Sequence, residues 1–130
     1  MGAFDMLRIA NSSLGMHQTW LDALAHNIAN ANTIKSTSEN AFQSQMVVAN
    51  ARPDGGVDVG GIVLGDPNGI LEYAPENPLA DADGNVRAPA MDMSVQMTSL
   101  VQAQRGFQAS VQVTKTAQDT YNAALQIGQR

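Results

Sequence analysis

Cysteine is absent from this 130-residue chain, which removes disulfides, thiolate metal sites and thiol catalysis together. Basic residues are scarce: 7 Lys and Arg stand against 12 Asp and Glu, for a net charge of −5. A nucleic-acid interface needs a basic patch to neutralise phosphates, so that class of partner is excluded. No apolar run approaches the roughly 20 residues that span a bilayer, and direct membrane insertion is not expected. The opening MGAFDMLRIA lacks the basic start and apolar stretch of a secretory signal. It also carries Met6 where the myristoylation pattern wants Ser or Thr. The expectation is a soluble protein, or one exported without a cleaved signal.

Proline is missing from both ends. All five prolines (Pro53, Pro67, Pro75, Pro78, Pro89) fall in the middle, and charge divides the chain in the same way. Residues 1–32 carry a net −1, residues 33–91 a net −5 and residues 92–130 a net +1. Three segments follow: two proline-free ends expected to be helical, and an acidic insertion full of turns.

The first segment repeats Leu7, Leu14, Leu21 and Ile28 every seven residues, with Ala10, His17, Leu24 and Ala31 three places later. That a/d seam predicts a helix from near Phe4 to near Asn30. Asn27-Ile28-Ala29-Asn30-Ala31-Asn32-Thr33 then offers asparagines able to close it in the left-handed conformation. The last segment spaces Met93, Met97, Leu100, Gln104, Phe107, Val111, Thr114, Gln118, Tyr121 and Leu125 alternately by four and three. This predicts a second coiled-coil helix over 92–128, with Asp92 as N-cap and Gly128 as a plausible end. Gly106 inside it costs about 1 kcal/mol relative to Ala, which fits either a close backbone approach or a simple weak spot. The middle reads as strands over 42–49, 57–64 and 70–74, with 85–87 as a short addition. Gly65-Asp66-Pro67-Asn68-Gly69 is expected to close a hairpin between the second and third, because Asn-Gly favours such turns. The fold class predicted is mainly α with a small β region: paired terminal helices and an inserted acidic hairpin/loop segment.

Site chemistry finds little support. His17 lies on the seam and His26 off it, nine residues apart, so neither metal spacing nor a catalytic pair is present. Asp81-Ala82-Asp83-Gly84-Asn85 resembles the start of a calcium loop, but the twelfth position is Asp92 rather than Glu and Pro75 and Pro78 precede it. A tight turn is the reading adopted. The hydroxyls of 33–41 lack a His–Asp partnership. Gly55-Gly56 and Gly60-Gly61 are loop or bulge glycines, not a phosphate cradle. Trp20, beside the seam, is expected between helices. No catalytic, cofactor-binding or metal-binding residue is assigned.

Length supplies the functional clue. A helix over 92–128 would run about 55 Å, whereas a compact chain of this size is roughly 36 Å across. The helix overshoots its own globule, so its ends are frayed in the free chain or covered by other subunits. Its polar face supports the second outcome: residues 92–130 hold five charged side chains but eight Gln. Amides and hydroxyls suit contact with other helices better than a charge-rich solvated face does. Leu7, Leu14, Leu21, Leu24, Ile28, Met93, Met97, Leu100, Phe107, Val111, Tyr121 and Leu125 are the candidate subunit-packing residues. A soluble helical adaptor or dimerisation module is the alternative.

Three motifs carry a resemblance. Asn27-Ile28-Ala29-Asn30-Ala31-Asn32-Thr33 resembles the N-I-A-N-x-N-T signature of bacterial flagellar rod and hook proteins. Pro75-Glu76-Asn77-Pro78-Leu79-Ala80-Asp81-Ala82-Asp83-Gly84-Asn85-Val86 resembles the P-x-N-P-x-A-D-x-x-G-x-V segment of the short proximal-rod type. Arg105-Gly106-Phe107-Gln108-Ala109-Ser110 is similar to R-x-Y-Q-A-N in the C-terminal helix, with Phe107 where Tyr and Ser110 where Asn are usual. The motif residues are Asn27, Asn30, Asn32, Thr33, Asn77, Pro78, Leu79, Asp81 and Gly84. The resemblance implies a structural, non-enzymatic subunit of the flagellar basal body. It implies partners in further copies of itself, in other axial rod proteins and in the flagellar type III export apparatus. It also implies a periplasmic rod whose wall is built by the terminal helices.

Overall fold

The computed structural model describes residues 2–128; the last two residues of the predicted C-terminal segment lie outside this range. Helix α1 spans Ala3–Ala29 and α2 spans Met93–Gly128. Between them lie β1 (Gln45–Ala51), β2 (Val57–Leu64), β3 (Ile70–Tyr73) and β4 (Asn85–Ala88). Asp92 caps α2 as expected: its Oδ1 accepts the amides of Ser94 at 2.7 Å and Val95 at 3.4 Å, satisfying donors the first turn leaves free.

The helices pack antiparallel. Phe4 lies edge-on to Tyr121 with ring centroids 5.1 Å apart, Ser13 meets Ser110 at 2.8 Å, and Asn27 reaches Gln96 at 3.0 Å. On α1 the predicted seam faces inward: Ala10 and Leu24 are buried, and Leu7, Leu14, His17, Leu21 and Ile28 are half-buried. On α2 the seam is corrected. The buried line is Ala103, Ser110 and Ala117, one residue back from Gln104, Val111 and Gln118. One of the two predicted rows thus shifts by a residue while the other stays, a turn of the seam by roughly 50° about the helix axis. Met93, Met97, Val111 and Leu125 are 39–51% exposed, while Leu100, Phe107, Thr114 and Tyr121 flank the contact, half-buried.

Small residues win the interface because the backbones approach closely. A Cβ built on Gly106 would sit 2.6 Å from His17 Cδ2 and 3.1 Å from Cε1. The imidazole occupies the notch that the glycine leaves open. It is held there by its Nδ1–H, which donates to the Ser13 carbonyl at 2.8 Å. Ser13 Oγ joins Ser110 Oγ across the seam, and Ser110 Oγ donates to the Gly106 carbonyl at 2.9 Å.

The 33–91 segment forms two separate antiparallel ribbons, β1–β2 and β3–β4. This corrects the expected hairpin through Gly65–Gly69, which instead passes from one ribbon to the other. The turn closing β1–β2 is Arg52–Gly56, where the Arg52 amide donates to the Gly56 carbonyl at 2.8 Å. The pairing skips Gly60, so that Val48 opposes Gly61 but Ala49 opposes Val59, the bulge that the Gly-Gly pair suggested. Trp20 is also displaced from its expected place between the helices: with Met16 it lines a crevice against Val47 and Ala49 of β1.

The chain buries little. Among the described residues its buried apolar side chains are Ala10, Ala23, Leu24, Ala41, Val86, Ala103 and Ala117, mostly alanine. At 1.5 Å per residue, α2 with 36 residues is about 54 Å long and α1 with 27 about 40 Å. Because Tyr121 is already abreast of Phe4, the last two turns of α2 run past the start of α1 uncovered.

The Gly106 notch makes a prediction of sign. Gly→Ala inside a helix ordinarily gains about 1 kcal/mol, but Gly106→Ala must evict the imidazole and lose its bond to Ser13. Thermal unfolding should show a lowered Tm for Gly106→Ala. In a His17→Ala background the same substitution should become neutral or stabilising.

Candidate assembly surface

Three polar joints set the position of everything exposed. The first is Asn27, 1% exposed in the last turns of α1. Its Oδ1 accepts the Gln45 amide at 2.7 Å, and its Nδ2 donates to the Gln45 carbonyl at 2.9 Å and to Gln96 Oε1 at 3.0 Å. The carboxamide thus copies a peptide group, pairing with β1 as a strand would while also holding α2. Its neighbours end the helix. Asn30 Nδ2 donates to the His26 carbonyl at 2.9 Å, and Thr33 Oγ1 donates to Asn30 Oδ1 at 3.3 Å. Among the described residues no non-glycine adopts positive φ, so the expected left-handed asparagine is replaced by this side-chain cap. Asn32 is exposed.

The second joint clasps the β1–β2 tip to α1. Arg8 pairs with Asp54, which also accepts from Arg52 at 2.9 Å. Beside it, the Val57 amide donates to Ser12 Oγ at 3.1 Å.

The third stitches the acidic segment together. Lys35 and Arg87 exchange backbone hydrogen bonds of 2.9 Å, while the Arg87 guanidinium donates to the carbonyls of Asn68 and Thr37 at 2.8 Å each. The motif residues Asn77 to Gly84 build consecutive turns. Asn77 Oδ1 accepts the Leu79 amide at 3.0 Å, and Asp81 Oδ1 accepts the amides of Asp83 and Asn85 at 3.0 and 2.9 Å. Asp81 Oδ2 takes the Thr37 hydroxyl at 3.0 Å, and Gly84 completes the turn at φ +80°, where side chains are strained. The carboxylate of Asp81 is therefore a turn brace, as expected. The Asn85 amide first, then against a smaller desolvation cost the Thr37 hydroxyl and the Asp83 amide, lowers its pKa from the ordinary value. Pro78 and Leu79 project outward, Leu79 at 45% exposure.

What these joints leave outside is apolar. On α2, Met93, Met97, Val101 and Val111 are exposed, with Ile127 at 77% on the overhang. On the ribbons Met46 and Val63 pair on the face opposite Val47, and Leu71 and Tyr73 stand out on β3. Exposed apolar surface on this scale marks interaction sites. Sequence reasoning had no signal for Arg87 or the Arg8–Asp54 clasp, both of which join positions dozens of residues apart. The small line on α2 did leave one, in the seven-residue spacing of Ala103, Ser110 and Ala117.

Among the described residues there is no cluster of three or more His, Asp or Glu placed to hold a metal. No described helix is long and apolar enough to cross a membrane. Comparison with known proteins gives the family. The chain is 33% identical over 134 residues to flagellar basal-body rod protein FlgC of Escherichia coli O6:H1, covering 99% of this chain and all of that protein. The chain belongs to the FlgC family of flagellar basal-body rod proteins. The FlgC of Yersinia enterocolitica is 31% identical with the same coverage, and that of Bacillus subtilis 28% over 98% of this chain and 99% of its own. A family model described as "Flagellar basal body rod FlgEFG protein C-terminal" matches residues 82–127. Within this FlgC-family chain that span holds Gly84, Arg87 and the whole small-residue line of α2. The family is a structural component of the basal body and not an enzyme.

Two joints yield tests. Asn27→Ala leaves both polar groups of Gln45 unpaired and should cost about 2–4 kcal/mol in chemical denaturation. Asn27→Asp keeps the acceptor for the Gln45 amide but turns a carboxylate oxygen toward the Gln45 carbonyl and Gln96 Oε1. That buried charge raises the new carboxyl's pKa, so stability should recover as pH falls through it. For Asp81 the sign is opposite. Its folded pKa is lowered, so its contribution is complete above the unfolded carboxylate value and is lost as pH falls through the folded one. An NMR titration should place Asp81 below the ordinary Asp range, and Thr37→Val should move it upward.

Proposed function

We propose that this chain polymerises through its terminal helices into the wall of a hollow flagellar rod. Its neighbours are further copies and other axial rod proteins. The segments 1–32 and 92–130 form the packing core, and 33–91 is an insertion that faces outward or toward adjoining subunits. Delivery is through the flagellar type III export apparatus, without signal cleavage, to a periplasmic rod that transmits torque and carries exported proteins. The observation that carries this reading is the partition of side chains on α2. Small residues spend the contact with α1, and the large apolar ones, Met93, Met97, Val111 and Leu125, are left 39–51% exposed beside an uncovered helix end. Alone in water, this arrangement leaves those side chains partly hydrated. Neighbouring helices relieve that cost in proportion to the area they cover. Leu7, Leu14, Leu21 and Ile28, half-buried on α1, have area left to contribute, and Leu100, Phe107 and Tyr121 border both the internal seam and the outer face. A shaft needs stiffness rather than chemistry, and many interlocked helices supply it.

The test separates fold from assembly. Met97→Glu and Val111→Glu place charge on exposed positions, so the isolated chain should keep its stability to within about 0.5 kcal/mol. In a strain lacking its own rod subunit of this family, wild-type chain should restore swimming and both variants should fail. Restoration by the variants, or sedimentation of the purified chain as a finite folded dimer that never joins a larger assembly, would favour the adaptor.

A further inference from the structure

The crevice between α1 and α2 on one side of the Ser13–Ser110 contact is not filled by the chain's own side chains. It is a groove of about 370 Å³ walled by Met6, Ile9 and Ala10 of α1 and by Ala109 and Val113 of α2. At the packing density of protein interiors this is room for roughly two or three aliphatic side chains. Its two hydroxyls, those of Ser13 and Ser110, already bond to each other at 2.8 Å. Nothing in the walls asks for a polar ligand, and Met6 and Val113 are left 43% and 45% exposed.

The same chain carries a fitting object elsewhere. Beyond Tyr121 the end of α2, Asn122–Gly128, projects past the start of α1. It has no charged residue and two adjacent alanines that keep it slim. Leu125 and Ile127 are 47% and 77% exposed on it. This end cannot fold back into its own groove. Val113 and Ile127 are on one continuous helix, about 21 Å apart along its axis at 1.5 Å per residue.

We propose that the projecting end of α2 in one copy seats in the α1–α2 groove of a second copy, with Ile127, and Ala123 and Ala124 one turn before it on the same helix face, between Met6, Ile9 and Val113. This deepens, and rests on, the rod-subunit reading by naming one contact through which copies join. Plug and groove are different surfaces of one chain, so the contact is heterologous. Each copy that receives an end still presents its own, and the array grows without closing. Both surfaces are free of charge, so seating one in the other strips water from no ion.

The absence of cysteine lets introduced thiols report this contact without background. Full-length Ile127→Cys chain is mixed at high concentration with Val113→Cys chain and mildly oxidised, with Leu71→Cys, 61% exposed on β3, as the control partner. Seated ends raise the local thiol concentration, so the Ile127–Val113 pairing should exceed the Leu71 control by at least about tenfold in covalent dimer. The chain bearing both Ile127→Cys and Val113→Cys should give a ladder of covalent oligomers. Equal yield with the control, no cross-link at any concentration, a single closed dimer, or capture of Ile127→Cys in cells by a different axial protein would each overturn the proposal. Restoration of swimming by the unsubstituted chain reads the rod assignment separately. A chain that restores swimming yet shows no Ile127–Val113 cross-link removes the plug and leaves the rod standing. Cross-linking by a chain that fails to restore swimming does the reverse.

Discussion

The closeness of α1 and α2 at Gly106 governs the rest of the molecule. A glycine on one helix receives an imidazole from the other, and the ring is fixed from behind by its bond to the Ser13 carbonyl. Alanine at 103 and 117 and serine at 110 extend the same close approach along α2. Along this line of α2 there is no space for leucine or methionine. Large apolar side chains on α2 must then sit on the flanks or point away, where the chain itself has nothing to cover them. The small seam is thus the cause of the apolar exterior, and a wider seam filled with Met and Val would have produced a self-contained hairpin of helices.

Much of this plan is legible in the sequence, and the parts that are not share a physical reason. The extents of both helices follow from periodicity, the Asp92 cap and the confinement of proline to the middle; β2 follows from its apolar run between turn glycines. The phase of α2 does not. Met93, Met97, Val111 and Leu125 imitate a seam because periodicity is dominated by large apolar residues, whereas the real contact selects for the lack of a side chain. Strand pairing fails for a related reason. Asn68-Gly69 has the local chemistry of a hairpin, but that loop's acceptors are taken by distant partners: Pro67 by the Ala41 amide, Gly65 by Gln43 and Asn68 by Arg87. The turn that does close a ribbon, Arg52–Gly56, is held by Arg8 and Ser12 on α1, and no local window contains those residues. Asn27 was visible as a motif residue, yet its work as a substitute peptide group depends on Gln45 and Gln96, neither of which is unusual in itself.

The polar joints and the apolar exterior divide the labour. Hydrogen bonds from Asn27, Asp81 and Arg87 fix the insertion with directional contacts that need little buried area, which suits a chain whose largest fully buried side chains are Val86 and Asn27. A domain this thin gains little from its own core. Directionality sets the shape, and most of the large apolar side chains are left outside it, on the surface proposed for assembly.

The seam also bears on stiffness. Sliding α1 along α2 by one helical turn would move His17 from Gly106 to Ala103 or to Ala109 and Ser110, each of which has a Cβ where the ring must go. Gly106 is the only glycine of α2 before its last residue, so the helix offers one notch and one register. An apolar seam of interchangeable leucines would resist shear only by its total contact, and a shifted pairing would bury nearly as much. Here a shift forces a steric collision, unmakes the Ser13–Ser110 contact and draws Asn27 away from Gln96 at once. For the rod subunit proposed above, a pair of helices that cannot creep past each other would carry load through geometry, leaving the apolar contacts proposed between subunits to set how they stack.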